Sequence, residues 1–462
     1  MVRLFKHYVP HTVLLLGLID FVLLVLAGEA GWLLRLWQIK VDAAPDPARL
    51  PQLLTFAITL QLAMVGVGVY AADSLQSMRI ATARLFVAVS LGVILLSLIF
   101  FFVPALTFWR SNLLYAMMLA LAATFIVRIM IGRALGGEAF KRRVLVLGAG
   151  PRAARLEALA RREGAGFTIA GYVAMNDGPV AVAHALNRSA INSLADHVVR
   201  LGIGEVVLAL EERRNALPLA DLLRVKTTGV HVNEISSFLE RETGRVDLDS
   251  VSPSWLIFSD GFSAGRRLSS AGKRLFDILV SGVILAIFAP VILLTALLVK
   301  LESEGPAFFR QRRVGRYGEP FEILKIRSMR QDAEVGGQAV WAQKDDPRVT
   351  RIGNIIRKLR IDELPQAWTV LKGEMSLVGP RPERPQFVAD LEARLPFYAE
   401  RHVVKPGITG WAQINFPYGA SVEDARQKLE YDLYYAKNYT PFLDLLILLQ
   451  TVRVVMWPEG AR

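Results

Sequence analysis

Two uncharged apolar runs, Leu53 to Ala72 (20 residues) and Leu85 to Leu106 (22 residues), constrain this chain more than any other feature. Each has the ~20 residues that a helix needs to cross the hydrocarbon core of a bilayer. Two neighbours read the same way with polar interruptions. Thr12 to Trp37 carries Asp20, Glu29 and Arg35, and Leu113 to Gly132 carries Arg128 near one end, where its stem could snorkel toward water. Residues 1–140 are therefore predicted to form a four-helix transmembrane bundle. Arg3, Lys6, Arg79, Arg84, Arg133, Lys141, Arg142 and Arg143 fall on one side, against Lys40, Arg49 and Arg110 on the other. That asymmetry places both ends of the bundle in the cytoplasm. No small-residue cleavage site follows a short apolar core, so the first run reads as an anchor and not a removable signal. Asp20, inside a span, serves either function or an interhelical hydrogen bond.

At 53% hydrophobic and 21% charged residues the chain cannot be disordered. The absence of cysteine excludes disulfides, thiolate zinc sites, iron–sulfur clusters and cysteine nucleophiles. Six scattered histidines offer no clustered metal motif. The net charge of +12 points to phosphorylated substrates and an anionic lipid surface as partners, with no nucleic acid expected.

From Arg142 the pattern becomes alternating strand and helix. Val144 to Leu147 is a short apolar strand, followed by Gly148-Ala149-Gly150-Pro151-Arg152-Ala153, a helix-like Ala154 to Arg162, and a second strand near Phe167 to Val173. This is G-x-G-x-x-A in the setting of a dinucleotide fold, where glycines let backbone approach a pyrophosphate. The acidic residue that should close the second strand is missing: the sequence reads Val173-Ala174-Met175-Asn176, with Asp177 late. A Rossmann-like module over 141–262, its turn glycines serving geometry alone, is the expectation. Asp247-Leu248-Asp249 mimics a metal-binding D-x-D only by chance. Gly261-Phe262-Ser263-Ala264-Gly265 has the form of a nucleophile elbow, with Asp362 and His402 following in α/β-hydrolase order, but it sits in a linker, Ser259 to Gly272, without the helix that an elbow requires.

A fifth apolar run, Ile278 to Val299, is 22 residues without a charge. Lys273 and Arg274 precede it, and Lys300, Arg310, Arg312, Arg313 and Arg316 follow it, so both flanks carry the cytoplasmic signature. Pro290 near its middle removes a helical hydrogen bond. A bent, re-entrant helix over 273–302, entering and leaving on one face, satisfies both features. Pro441 to Trp457, with Asp444, Gln450 and Arg453 among apolar residues, reads as an interfacial helix.

Between Lys300 and Lys405 there are 20 Lys/Arg and 15 Asp/Glu, a mixture suited to a phosphate site. Arg351 to Ile361 reads as an amphipathic helix broken before Asp362-Glu363-Leu364-Pro365. Pro365 fits a helix's first turn, which would make Asp362 an N-cap. Lys325, Arg327, Arg357 and Arg381 are close enough in sequence to converge on the pair, and carboxylates among cations stay ionised and nucleophilic. Paired acids near phosphate also offer oxygen ligands to magnesium.

Five ordered segments carry a family resemblance: Lys273-Arg274-Leu275-Phe276-Asp277, Lys325-Ile326-Arg327-Ser328-Met329, Leu359 to Gln366, Val378-Gly379-Pro380-Arg381-Pro382, and Lys405-Pro406-Gly407-Ile408-Thr409-Gly410-Trp411-Ala412-Gln413. Lys273 to about Trp457 resembles the bacterial sugar transferases that act as monotopic phosphoglycosyl transferases. With the preceding spans and Rossmann-like module, the whole chain resembles the large polyisoprenyl-phosphate hexose-1-phosphate transferases that start exopolysaccharide assembly. The resemblance implies that Asp362 is the nucleophile, that Glu363 assists, that both face magnesium, and that the membrane helix breaks at Pro290. Phosphate binding is expected at Lys325, Arg327, Arg357, Arg381 and Lys405, with Lys273, Arg274 and Asp277 at the membrane surface. Ala289 departs from the family's serine before that proline, and Ile326 from its usual aromatic.

The expected protein is thus an α/β membrane enzyme: bundle 1–140, Rossmann-like module 141–262, and catalytic domain 263–462. Its substrates would be a UDP-sugar and polyprenyl (undecaprenyl) phosphate, its cofactor magnesium, and its location the bacterial inner membrane, multi-pass, with the catalytic domain on the cytoplasmic face. A homodimer stands as an open expectation.

Overall fold

The computed structural model describes residues 2–4, 7–9, 11–41, 47–70, 74, 78–134, 141–162, 165–175, 180–211, 217–251, 267–330, 348–416 and 421–456. The elbow-like Gly261 to Gly265 and Asp177 lie outside them. The fold is mixed, with long apolar helices and a parallel sheet, and it divides into a unit running to Ser250 and a second from Val251.

Helices α1 (His11–Gln38), α2 (Leu50–Val67), α3 (Met78–Phe102) and α4 (Arg110–Ala134) coincide with the first four apolar runs. Together with the helix containing the fifth run they make, among the described residues, five helices long and apolar enough to cross a membrane. Leu24, Phe56, Leu60, Met64, Leu85 and Leu96 form the bundle's core. Leu15, Leu18, Ile94, Phe101, Leu114 and Met118 face outward, a distribution suited to lipid and not to water. Arg128 does not snorkel. It is buried and donates to the buried Asp20 at 2.7 Å, and Tyr70 donates to the same oxygen at 2.8 Å. A charge deep among apolar helices is held by pairing, and the interhelical reading of Asp20 is the one seen.

The middle module is doubly wound. Strands β1 (Arg142–Leu147), β2 (Phe167–Ala174), β3 (Ala185–Asn187), β4 (Glu205–Leu208) and β5 (His231–Glu234) form a parallel sheet in the order β3-β2-β1-β4-β5. Side chains alternate along β1. Val144 and Val146 pack with Ala153 and Leu156 of α5 (Pro151–Ala160) and Phe238 of α8 (Ile235–Thr243). Leu145 and Leu147 face Leu194 and Val198 of α6 (Leu194–Arg200) and Leu222 and Val225 of α7 (Leu219–Thr227).

Gly148 adopts φ +127°, and a Cβ there would lie 2.3 Å from the Ala209 carbonyl oxygen, so the turn's first glycine is required by the sheet itself. The anion position at the start of α5 is filled from within: the Arg152 amide donates to Glu211 Oε1 at 2.9 Å, and the Arg152 guanidinium lies 3.4 Å from Glu211 Oε2. Asp247 and Asp249 both pair with Arg155, at 3.4 and 2.8 Å, which accounts for the D-x-D pattern as surface ion pairing.

The second unit begins with α9 (Arg267–Glu302), a helix assigned without interruption through Pro290. At ~1.5 Å per residue its 36 residues extend about 54 Å along the path. Leu279, Val283, Ile287, Leu293, Leu297 and Leu301 are exposed along it. Ile292 and Val299 pack on Ile326 and Ile356. The hairpin β6 (Phe308–Val314) and β7 (Pro320–Ile326) follows, then α10 (Arg351–Lys358), a 3-10 turn Ile361–Glu363, α11 (Gln366–Lys372) and β8 (Ser376–Val378). Next come α12 (Pro385–Arg394), β9 (Gly407–Thr409), α13 (Trp411–Asn415), α14 (Val422–Asn438) and α15 (Pro441–Met456). β8 and β9 pair in parallel. The helix expected at the C-terminal end is present, but Asp444 is buried in an ion pair with Lys273 at 2.6 Å and does not belong to a polar outer face.

Candidate active site

The acidic pair sits on a strained turn. Arg360 adopts φ 58°, a left-handed conformation that costs a non-glycine residue on the order of 1–3 kcal/mol. This reversal ends α10 and drops Ile361, Asp362 and Glu363 into a single 3-10 turn before Pro365 opens α11. The expected N-cap role of Asp362 is corrected here: Pro365 occupies the cap position and no side chain caps α11. The extra turn carries Asp362 away from the helix's free amides. Asp362 is 8% exposed, and its Oδ1 is buried with no hydrogen-bond partner among the described residues.

The cations gather on the neighbour. Glu363 Oε1 lies 3.2 Å from Lys325 Nζ, 3.4 Å from Arg381 Nη2 and 3.8 Å from Arg360 Nη1. Burial pushes Glu363 up, but Lys325, Arg381 and Arg360 outweigh it and hold this carboxyl well below its ordinary range. Asp362 goes the other way: burial, then the adjacent Glu363 charge, raises it despite Lys325, Arg360 and Arg357. The ion pairs are made by Glu363, so the surrounding cations outweigh burial at that carboxyl and not at Asp362. Burial also lowers Lys325, against the pull of Glu363. The result is one clamped carboxylate beside one unpartnered, more basic carboxylate.

The remaining expected site residues divide. β7 delivers Lys325 to the pair, and the loop after β8 delivers Arg381. Arg357, one turn before the acidic pair, makes no side-chain hydrogen bond among the described residues and acts on Asp362 through its charge. Arg327 is corrected. Its guanidinium donates to the carbonyls of Glu304 and Ser303 and to Ser303 Oγ, in the bend that follows α9, so it is not directed at a phosphate site. Lys405 lies among Arg274, Asp277, Arg316 and Lys273, and burial, then Arg274, lowers its pKa. Lys273, Arg274 and Asp277, expected at the membrane surface, all bond within the protein, to Asp444, to the Val370 and Leu371 carbonyls and to Ser376.

Sequence reasoning missed the support behind Arg381. Arg401 donates to the Arg381 carbonyl at 3.0 Å while bonding Asp432 Oδ2 at 2.7 Å and the Tyr398 hydroxyl at 2.9 Å. Arg313 donates to the Pro382 carbonyl at 3.0 Å from the other side. No local pattern marks a pairing 31 residues apart such as Arg401 with Asp432. His402, burial and Arg401 together pushing it down to about 3, is neutral and unsuited to a hydrolase triad. The glycines of two motif segments serve close packing: a Cβ on Gly407 would lie 2.0 Å from the Gly379 amide nitrogen across the β8–β9 pair.

Among the described residues no three His, Cys, Asp or Glu side chains gather as a metal cage. Asp362 and Glu363 instead fit the way magnesium binds at phosphate sites, through one or two protein carboxylates with substrate oxygens completing the shell. Asp362 Oδ1 is the unspent donor; Glu363 Oε1 already faces three cations.

Residues 268–458 match the family described as bacterial sugar transferase. A UDP-N-acetylgalactosamine-undecaprenyl-phosphate N-acetylgalactosaminephosphotransferase of Aeromonas hydrophila is 47% identical over 232 residues, 50% of this chain and 53% of that protein's length. A UDP-glucose:undecaprenyl-phosphate glucose-1-phosphate transferase of Caulobacter vibrioides is 45% identical over 191 residues, 41% of this chain and 71% of the relative. An uncharacterized sugar transferase of Bacillus subtilis is 44% identical over 192 residues, 41% of this chain and 89% of the relative. The chain belongs to the bacterial sugar transferase family.

Proposed function

We propose that this chain transfers a sugar 1-phosphate from a UDP-sugar to undecaprenyl or another polyprenyl phosphate, releasing UMP, as the first membrane step of exopolysaccharide or other glycan assembly. The observation that carries this reading is the division of labour in the acidic pair: Glu363 clamped by Lys325, Arg381 and Arg360, and Asp362 buried with Oδ1 unpartnered. A carboxylate whose Oδ1 has no hydrogen-bond partner among the described residues and which is more basic than an ordinary aspartate suits attack on phosphorus. The substrate class is drawn from the names of the Aeromonas and Caulobacter relatives.

In the proposed mechanism Asp362 attacks the sugar-bearing phosphorus, and the bond from that phosphorus to the bridging oxygen breaks. The electron pair leaves with UMP, and a phosphosugar ester remains on Asp362. An oxygen of the lipid phosphate then attacks the same phosphorus, forming the diphosphate link and freeing the Asp362 carboxylate. Arg381, Lys325 and Arg357 supply positive charge to the phosphate oxygens, arginine through a two-pronged fork. Glu363 keeps Lys325 and Arg381 in place. Magnesium held by Asp362 and Glu363 would neutralise charge on the departing nucleotide. Lipid is brought to the site by the helix flanked by Lys273 and Lys300, which we propose enters and leaves on the cytoplasmic face of the bacterial inner membrane.

UMP release measured against a panel of UDP-sugars, with and without polyprenyl phosphate, tests the proposal. Lipid-dependent turnover with at least one UDP-sugar is expected; turnover indifferent to the lipid would contradict it.

A further inference from the structure

Lys273, Arg274 and Asp277 lie within about one turn near the start of α9, and all three grip one short segment of the catalytic unit. Arg274 Nη1 and Nη2 donate to the Val370 and Leu371 carbonyls, each at 2.6 Å. These carbonyls belong to the last turn of α11, and that of Val370 also accepts from the Gly373 amide at 3.0 Å. Asp277 Oδ1 accepts from Ser376 Oγ and from the Leu377 amide, both at 3.1 Å. Lys273 Nζ donates to the Val378 carbonyl at 3.1 Å, to the Tyr435 hydroxyl at 3.2 Å and to Asp444 at 2.6 Å. Asp277 and Asp444 are each 3% exposed.

The gripped segment joins the two halves of the site. Its upstream end is α11, which begins three residues after Glu363; its downstream end runs through Val378 and Gly379 into Arg381. The two ends meet again where Arg381 reaches Glu363. We infer that Lys273, Arg274 and Asp277 are positioning residues: the start of the membrane helix fixes the spacing between the acidic turn and the Arg381 loop, so that the seating of α9 sets the turnover of the site. This rests on the assignment of Asp362 and Glu363 as the reacting pair. A helix that served only as an anchor would need charge at this position, but not acceptors and donors matched to seven separate backbone and side-chain groups.

The test uses the full chain reconstituted in bilayer discs, reading kcat and KM for UMP release per active site together with the thermal midpoint. Arg274→Gln and Asp277→Ala are expected to lower kcat about tenfold or more, the scale of losing one or two charge-assisted hydrogen bonds, with KM for the UDP-sugar little changed. Asp277→Asn retains the accepting oxygen and should recover most of kcat; Arg274→Lys should recover part. Lys300→Gln, exposed at the far end of the same helix, should behave as wild type. Wild-type kcat in Asp277→Ala, equal loss in Asp277→Asn and Asp277→Ala, or an equal loss in Lys300→Gln would overturn the inference. If Arg274→Gln does not fold, the Asp277 pair of variants decides. Asp362→Asn is run alongside: its loss of turnover with intact Asp277→Ala activity condemns the positioning role alone, whereas turnover by Asp362→Asn condemns the underlying assignment.

Discussion

Two turns in this molecule bring a carboxylate to the start of a helix, and they end in opposite states. At Gly148 to Ala153 the turn has the glycines of a phosphate-binding loop, but Glu211 lies on the Arg152 amide and guanidinium and fills the anion position. At Arg360 to Pro365 the backbone is strained and carries no glycine, yet Asp362 Oδ1 is left buried and unbonded while Glu363 absorbs the nearby cations. A satisfied turn stabilises; an unsatisfied one holds reactivity in reserve. The comparison teaches that the motif with the better-known spacing is the closed one, and that the reactive position is recognised by what its neighbours leave undone.

The largest expected effect separates these turns. Asp362→Asn should lose turnover on the order of 10⁴-fold or more, the scale of removing a covalent nucleophile. It should do so without loss of stability. An aspartate whose folded pKa is raised favours folding most below its unfolded pKa, and that contribution is lost as pH rises through the folded value, so at neutral pH the charge is a burden that asparagine removes. A thermal midpoint no lower than wild type is expected; a clearly lower midpoint would contradict this sign for Asp362. Glu363 has the opposite sign: held low, it contributes stability at neutral pH that disappears on acidification, so Glu363→Gln should lower the midpoint at pH 7 and change it less in acid.

Next in size are the clamping cations. Lys325→Gln or Arg381→Gln should reduce kcat/KM roughly ten- to a hundredfold, whereas Arg327→Lys should act through the stability of the bend that follows α9. A smaller effect is the pH dependence: because Asp362 is raised, the acid limb of kcat/KM should lie above the ordinary aspartate value of 3.8. The smallest is at the other turn. Glu211→Gln should leave turnover unchanged, and a nicotinamide dinucleotide titrated onto the wild type should show no binding; tight binding would reopen that turn as a nucleotide site.

What the sequence made legible follows from where the information is local. The apolar runs became helices because length and hydropathy are properties of a single segment, and the alternation of strands with helices from Val144 onward became a parallel sheet. Lys325, Arg381 and the acidic pair were legible from motif spacing. The destinations of Arg327 and Arg274 were not, since a basic residue reads alike whether it meets a phosphate or backbone carbonyls. Nor was Arg128 legible as a buried partner of Asp20, because their 108-residue separation leaves no periodic trace. The split between Asp362 and Glu363 depends on the reversal at Arg360, which no propensity announces in a non-glycine residue.

The most direct test gives the wild-type protein a UDP-sugar with no lipid acceptor, quenches the mixture, and weighs the intact chain and its peptides. A burst of at most about one UMP per active site is expected, with the mass of one sugar phosphate gained on the peptide that contains Asp362, and with loss of that adduct when polyprenyl phosphate is added. No burst and no adduct under conditions that support full turnover would contradict the covalent role of Asp362 and leave direct attack by the lipid phosphate on the nucleotide sugar.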